Sequence, residues 1–217
     1  PVVVPSGSYM ISGTLNVTMQ TLMGPAPSAW VSDGSPQPLI TFRPFGENPQ
    51  HGAAFVAVGA GGSVHGLHVQ YDWQDNAIRA IPPCVDLRVG DGPRVTDMRI
   101  SSAWDAVSSL GNSNCGRYYV ANLFIVDAHH YGLAMGASFD FSTIDQVEVW
   151  NPNSLFAFHN GTGVLINVRC DQLHAASLSL SPCLPVCLPV CLPVSLSPCL
   201  PVCLSVCLSV CLSVCLS

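Results

Sequence analysis

One short pattern recurs along the chain and limits what the chain can fold into. It reads apolar, any residue, small polar, apolar, any residue, apolar. Its five copies begin at Val64, Val95, Val120, Ile144 and Leu165, so successive copies are separated by 31, 25, 24 and 21 residues. A strand unit repeated at such a period is typical of solenoids, whose coils must stack because none buries its apolar face alone. The pattern therefore predicts an all-β solenoid.

The small polar residue of each copy predicts a corner at the same place in every coil. These residues are Gly66, Asp97, Asn122, Gln146 and Asn167. Gly, Asn and Asp tolerate left-handed backbone geometry, and stacked amides can hydrogen-bond along the axis. The apolar residue that follows the corner should lie inside, which predicts one buried column made of Leu67, Met98, Leu123, Val147 and Val168.

An antiparallel β-sandwich is the alternative, because it also shows short strands at regular spacing. The constant internal order of the copies favours the solenoid.

Composition excludes several partners. The chain of 217 residues has seven Arg, no Lys, thirteen acids and a net charge of −6, so no basic stripe is available to neutralise phosphates. We expect no nucleic acid and no membrane as partner, and a neutral or cation-bridged polysaccharide stays compatible. The spacing of Cys84, Cys115 and Cys170 matches neither a disulfide framework nor a metal site. No cofactor is expected, and Ca²⁺, although compatible with such a partner, has no supporting motif.

The C-terminal residues 177–217 differ from the rest. They contain eight of the eleven cysteines and no charged residue, and they repeat Cys-Leu-Ser-Val and Cys-Leu-Pro-Val. A TGTC tetranucleotide tract, read in any frame, encodes the Cys-Leu-Ser-Val repeat, and one T-to-C change turns its Ser into Pro. Prolines interrupt the apolar run that a membrane span requires. We therefore predict a β-solenoid domain over residues 1–176 and a low-complexity tail over 177–217 that is disordered or a translated DNA repeat.

The first residues carry a family resemblance. Val3-Val4-Pro5, followed by Gly7, Tyr9-Met10-Ile11 and Gly13-Thr14-Leu15, resembles the first coils of the pectate-lyase-like superfamily of right-handed parallel β-helices. The resemblance implies that fold and a groove that binds polysaccharide. The acceptor sequons Asn16-Val17-Thr18 and Asn160-Gly161-Thr162 favour an extracellular or cell-surface location. The Asp-rich segment and capping helix that precede this point in the superfamily have no counterpart here, so we expect a fragment cut on its N-terminal side.

Acids and aromatic residues recur just after the pattern, where the enzymes of that superfamily bind sugar. The acid/base candidates are Asp72, Asp105, Asp127, His129 and His130, and the sugar-contacting candidates are Trp73, Trp104, Tyr131 and Trp150. Aromatic faces stack on sugar rings, while carboxylates accept hydrogen bonds from hydroxyls.

Asp105 and Asp127 are the predicted acid and base, because they come from neighbouring coils. Two carboxylates about 5 Å apart, or about 6.5–9.5 Å apart, can cleave a glycosidic bond. His129 and His130 are the other acid/base candidates, since histidine titrates near neutrality.

The catalytic residues of the superfamily do not carry over one by one. The chain lacks the Asn-Thr-Asp, Asp-Asp and Gly-His-Gly motifs of polygalacturonases, and it lacks the lysine that some polysaccharide lyases use as base. The sequence thus predicts a carbohydrate-active protein, with hydrolase and lyase both open. A non-catalytic β-helix adhesin, tail-fibre or surface protein that binds glycans is the alternative, and a structural spacer is the third possibility. The oligomeric state stays open.

Overall fold

The fold is all-β. The computed structural model describes residues 1–24, 38–45, 51–73, 80–88, 90–110, 115–136 and 142–150, together with the backbone of four later strands. Within these residues the regular secondary structure consists of strands, and the strands that pair there do so in parallel. No helix in this part of the chain is long and apolar enough to cross a membrane. The all-β part of the fold prediction is therefore confirmed.

Eighteen strands are present in the part of the chain that the structure describes. They are β1 Val2–Val3, β2 Ser8–Ile11, β3 Leu15–Val17, β4 Thr21–Met23, β5 Leu39–Phe42, β6 Val56–Val58, β7 Ser63–His65, β8 His68–Tyr71, β9 Val85–Leu87, β10 Arg94–Ser101, β11 Asp105–Ser108, β12 Tyr119–Val126, β13 Tyr131–Met135, β14 Ser142–Trp150, β15 Thr162–Ile166, β16 Leu173–Ala175, β17 Leu178–Leu180 and β18 Val186–Cys187.

The strands form two parallel sheets that the chain visits in turn. The first sheet has eleven strands, and the second has seven in the order β18-β15-β13-β11-β9-β6-β3. In the first sheet, β10 pairs with two earlier strands, because Arg94 lies opposite Ser63 of β7 while Arg99 lies opposite His68 of β8. The long strand β10 therefore lies beside two shorter strands that follow each other along its length. Each time the chain returns to the second sheet, it adds one strand there. This arrangement is compatible with a β-helix or another solenoid.

The bend within each long strand lies at the predicted corner. Asp97, Asn122 and Gln146 have φ angles of 55°, 52° and 49°, and Gly66 has 69°. The side-chain amide of Asn122 donates a hydrogen bond to Asp97 Oδ1 on the neighbouring strand. The predicted corners are confirmed at these four positions, and Asn167 lies outside the described residues.

The residue after each corner lies inside the protein. Leu67, Met98, Leu123 and Val147 are fully or almost fully buried. Met98 pairs with Leu123, and Leu123 pairs with Val147. The predicted interior column is confirmed for these four residues, whereas Val168 lies outside the described ones.

The fifth copy of the pattern is placed differently from the prediction. Leu165 was expected beside Ile144 of the first sheet, but it lies in β15 and pairs with Ala134 of the second sheet. Ala175 takes the place beside Ile144 instead, and Leu178 continues that coil. Residues 175–180 also satisfy the six-residue pattern, so the pattern alone did not distinguish the two segments. The prediction for Leu165 is therefore wrong.

Two strands lie beyond residue 176. β17 pairs in parallel with β14, and β18 pairs with β15. The parallel pairing thus continues past the expected end of the domain, while the boundary at residue 176 stays a prediction.

Candidate functional site

Several candidate residues lie at a second corner, where the chain leaves the first sheet for the second. Ser102 follows β10 and Asp127 follows β12, with φ angles of 59° and 52°. The turn after Ser102 leads to Asp105 and the turn after Asp127 leads to Tyr131, and these two strand residues pair in register. The second turn is one residue longer than the first. The extra length brings His130 beside the start of β11.

Asp105 and His130 are in direct contact. Nδ1 of His130 lies 2.9 Å from Oδ1 of Asp105, and the backbone N–H of Tyr131 donates to the same oxygen at 3.0 Å. The side chains are 15% and 32% exposed, so the pair sits at the protein surface without being fully solvated. Burial raises the pKa of Asp105, and the neighbouring His130 opposes part of this rise.

Two aromatic rings hold the His130 side chain. The ring of Trp104 stacks against it with centroids 5.2 Å apart, and the Tyr131 ring centroid lies 3.7 Å away. The backbone N–H of His130 also donates to the carbonyl of Trp104 at 2.8 Å. Trp104 and Tyr131 therefore fix the imidazole in addition to any contact they make with a ligand.

His129 lies in a different environment from His130. It is 3% exposed, and its ring meets Trp73 edge-on with centroids 5.8 Å apart. The backbone N–H of His129 donates to the carbonyl of Ala103 at 2.8 Å. Of the two candidate histidines, His130 is the more exposed one.

Trp73 contacts several parts of the site at once. Its Nε1–H donates to the carbonyl of Ser102 at 2.6 Å. Its ring also lies 5.6 Å from Tyr71 and 6.1 Å from Phe45. The side chain is half-buried and packs on the core.

Asp72 and Asp127 each have contacts of their own in addition to any shared with Asp105. Asp72 accepts a hydrogen bond from Nε of Arg43 at 2.9 Å, an ion pair that is about one-third exposed. Asp127 occupies the corner itself, and its N–H donates to the carbonyl of Trp150 at 3.0 Å. The pairing of Asp105 with Asp127 as acid and base stays a prediction.

Trp150 belongs to a separate group on the outside of the first sheet. It is 43% exposed and stacks on Phe124 with an angle of 14° and centroids 6.1 Å apart. The guanidinium carbon of Arg99 lies 5.3 Å from the centre of the Phe124 ring. Sequence reasoning missed Phe124 and Arg99, although side-chain alternation from the corner places both on the outer face. The candidates thus divide into a corner cluster and this outer aromatic row.

Beneath the corner lies a buried pair that the sequence did not single out, Tyr71 and Cys84. Both are almost fully buried, and the N–H of Cys84 donates to the carbonyl of Asp105 at 2.8 Å. Burial raises the pKa of the Tyr71 phenol and of the Cys84 thiol well above their usual values. Cys84 is therefore a neutral core residue rather than a nucleophile.

Cys115 is likewise buried and free, with burial as the main cause that raises its pKa to about 12.

Within the described residues, no group of three or more His, Cys, Asp or Glu side chains is arranged to hold a metal ion. Comparisons with protein-family models, curated proteins and solved structures give no match for this chain.

Proposed function

We propose that this chain is a right-handed parallel β-helix of the pectate-lyase-like kind that acts on a polysaccharide. Three observations support this fold: the parallel pairing of the described strands, the corners at equal register and the residues from Val3 to Leu15. A location outside the cell or at its surface belongs to the same proposal.

The contact between Asp105 and His130 carries the catalytic part of the proposal. A carboxylate that accepts from Nδ1–H fixes the imidazole orientation and leaves Nε2 to exchange a proton with substrate or water. Partial burial strengthens this interaction, because fewer water molecules compete for Oδ1. Both glycoside hydrolysis and β-elimination need such a proton transfer.

The substrate class follows from the surroundings of the pair. Trp104 and Tyr131 border the imidazole, and aromatic rings beside hydrogen-bonding groups suit the apolar faces and hydroxyls of sugars. The net charge of −6 and the absence of lysine disfavour a nucleic acid as substrate. The proposed proton transfer uses protein side chains and needs no cofactor.

A panel of neutral and acidic polysaccharides tests the proposal. Reducing ends would report hydrolysis, and unsaturated products absorbing in the ultraviolet would report elimination. Asp105→Asn should lower turnover by about 10²-fold or more, because the imidazole of His130 loses the carboxylate that orients it, and a positioned acid/base group supplies at least that factor. Asp86→Asn is the matched control, because Asp86 lies on β9 of the same sheet and pairs with Arg88 at 2.9 Å. Equal activity of the wild type and Asp105→Asn would reject the catalytic role.

Glycan binding without catalysis is the second candidate function, and the outer aromatic row favours it. Trp150 presents a large exposed ring, and Arg99 stands at the far end of the row beside Phe124. In that case Trp150→Ala abolishes glycan retention, while Asp105→Asn leaves retention unchanged. Affinity electrophoresis in polysaccharide-containing gels measures both variants.

A further inference from the structure

We propose that Trp73 is a positioning residue that holds Asp105 and His130 at their working distance. This inference rests on the proposed function, because it assigns Trp73 a role in the same site. It differs from the sugar-contacting role that the sequence predicts for Trp73, in which the ring would present an open face to a ligand.

The first supporting contact reaches the turn that carries Asp105. Nε1–H of Trp73 donates to the carbonyl of Ser102 at 2.6 Å, and Ser102 has a φ of 59°. A non-glycine residue in left-handed geometry costs free energy and needs surrounding contacts to keep it there. The indole therefore fixes the start of the turn at residues 102–104, which leads directly to Asp105.

The second contact reaches the turn that carries His130. The Trp73 ring meets the buried His129 ring edge-on, with centroids 5.8 Å apart. His129 directly precedes His130, and their N–H groups donate to the carbonyls of Ala103 and Trp104, both at 2.8 Å. One indole thus contacts both turns that supply the catalytic pair.

The surroundings of Trp73 support holding rather than sugar binding. Tyr71 and Phe45 lie against the same ring, so core and loop residues contact it in addition to His129. The single N–H of the indole is used by Ser102 and is not available to a sugar hydroxyl. Trp150, in contrast, is 43% exposed.

Loss of the indole should therefore change chemistry more than binding. Both turns would relax, and the 2.9 Å contact between Asp105 and His130 would lengthen. A displacement of about 1 Å costs about 10²-fold in rate when it moves a catalytic group. We expect Trp73→Ala to lower kcat by about that factor with little change in KM. Trp73→Phe keeps a ring but loses the bond to Ser102, so its kcat should lie between wild type and alanine.

Amide hydrogen–deuterium exchange supplies a measurement that does not depend on activity. In Trp73→Ala the amides of His129 and His130 should exchange faster, with a smaller increase in Trp73→Phe. Trp150→Ala is the matched control, since it removes an exposed indole outside the corner cluster and should leave these two amides unchanged.

Two results would overturn the inference. One is unchanged exchange at His129 and His130 in Trp73→Ala, and the other is a rise in KM with kcat unchanged. If the wild type degrades no polysaccharide, the proposed function fails, and the exchange data still decide whether Trp73 holds the two turns.

Discussion

Asn122 donates its side-chain amide to the carboxylate of Asp97 one strand away, and both residues occupy left-handed corners. The same contact thus joins two adjacent parallel strands at the point where each bends. A polar residue at this position has two roles: its side chain hydrogen-bonds to the neighbouring strand, and its backbone adopts the positive φ of the bend.

Replacing Asn122 with alanine should lower the free energy of unfolding by about 2 kcal/mol, from one lost hydrogen bond and a left-handed residue that tolerates the geometry less well. Urea denaturation measures the change. Asn122→Gly is the matched control, because glycine adopts the positive φ freely and loses only the side-chain contact. A glycine variant less stable than the alanine variant would argue against the backbone part of this explanation.

The interior column predicts a severe effect at Leu123, which is fully buried between Met98 and Val147. Leu123→Asp should lower stability by several kcal/mol, about 4 or more, because it buries an unpaired charge. Leu123→Met conserves volume and should cost less than about 1.5 kcal/mol. Thermal and urea unfolding distinguish the two, and a tolerated aspartate would contradict the packing.

Asp105 predicts a pH dependence of stability with a definite sign. Its pKa in the folded protein is raised above the ordinary value of 3.8, chiefly by burial, so the folded state holds this proton more tightly than the unfolded state. The contribution of Asp105 is therefore fully present below pH 3.8 and is lost as the pH rises through the raised pKa. Asp105→Asn removes this titration, so its stability relative to wild type should improve as the pH rises from ~3 to ~7. Urea midpoints at several pH values measure the difference, and a constant difference would refute the assignment.

The end of the domain can be located by two shortened chains. The sequence predicts that a chain ending at Ala176 keeps full stability. Because β17 pairs with β14, we expect that chain to be about 2 kcal/mol less stable than one ending at Leu180, on the basis of a few lost backbone hydrogen bonds. Equal unfolding midpoints would instead support the boundary at residue 176.

The sequence by itself determined the corners and the interior column. These features are local, because side chains alternate along a strand and only certain residues tolerate a positive φ. Asp97, Asn122 and Leu123 could therefore be placed from the repeat alone. The same reasoning located the acids and aromatics near the second corner.

Tertiary structure decided which of those residues meet. The extra residue before Tyr131 brings His130 to Asp105, His129 turns inward against Trp73, and Trp150 joins the outer row. It also placed Leu165 in the second sheet, since two segments satisfied the same pattern. The physical reason is common to all of these cases. Contacts between coils depend on the length of each turn and on packing across the axis, which a pattern of apolar residues does not specify.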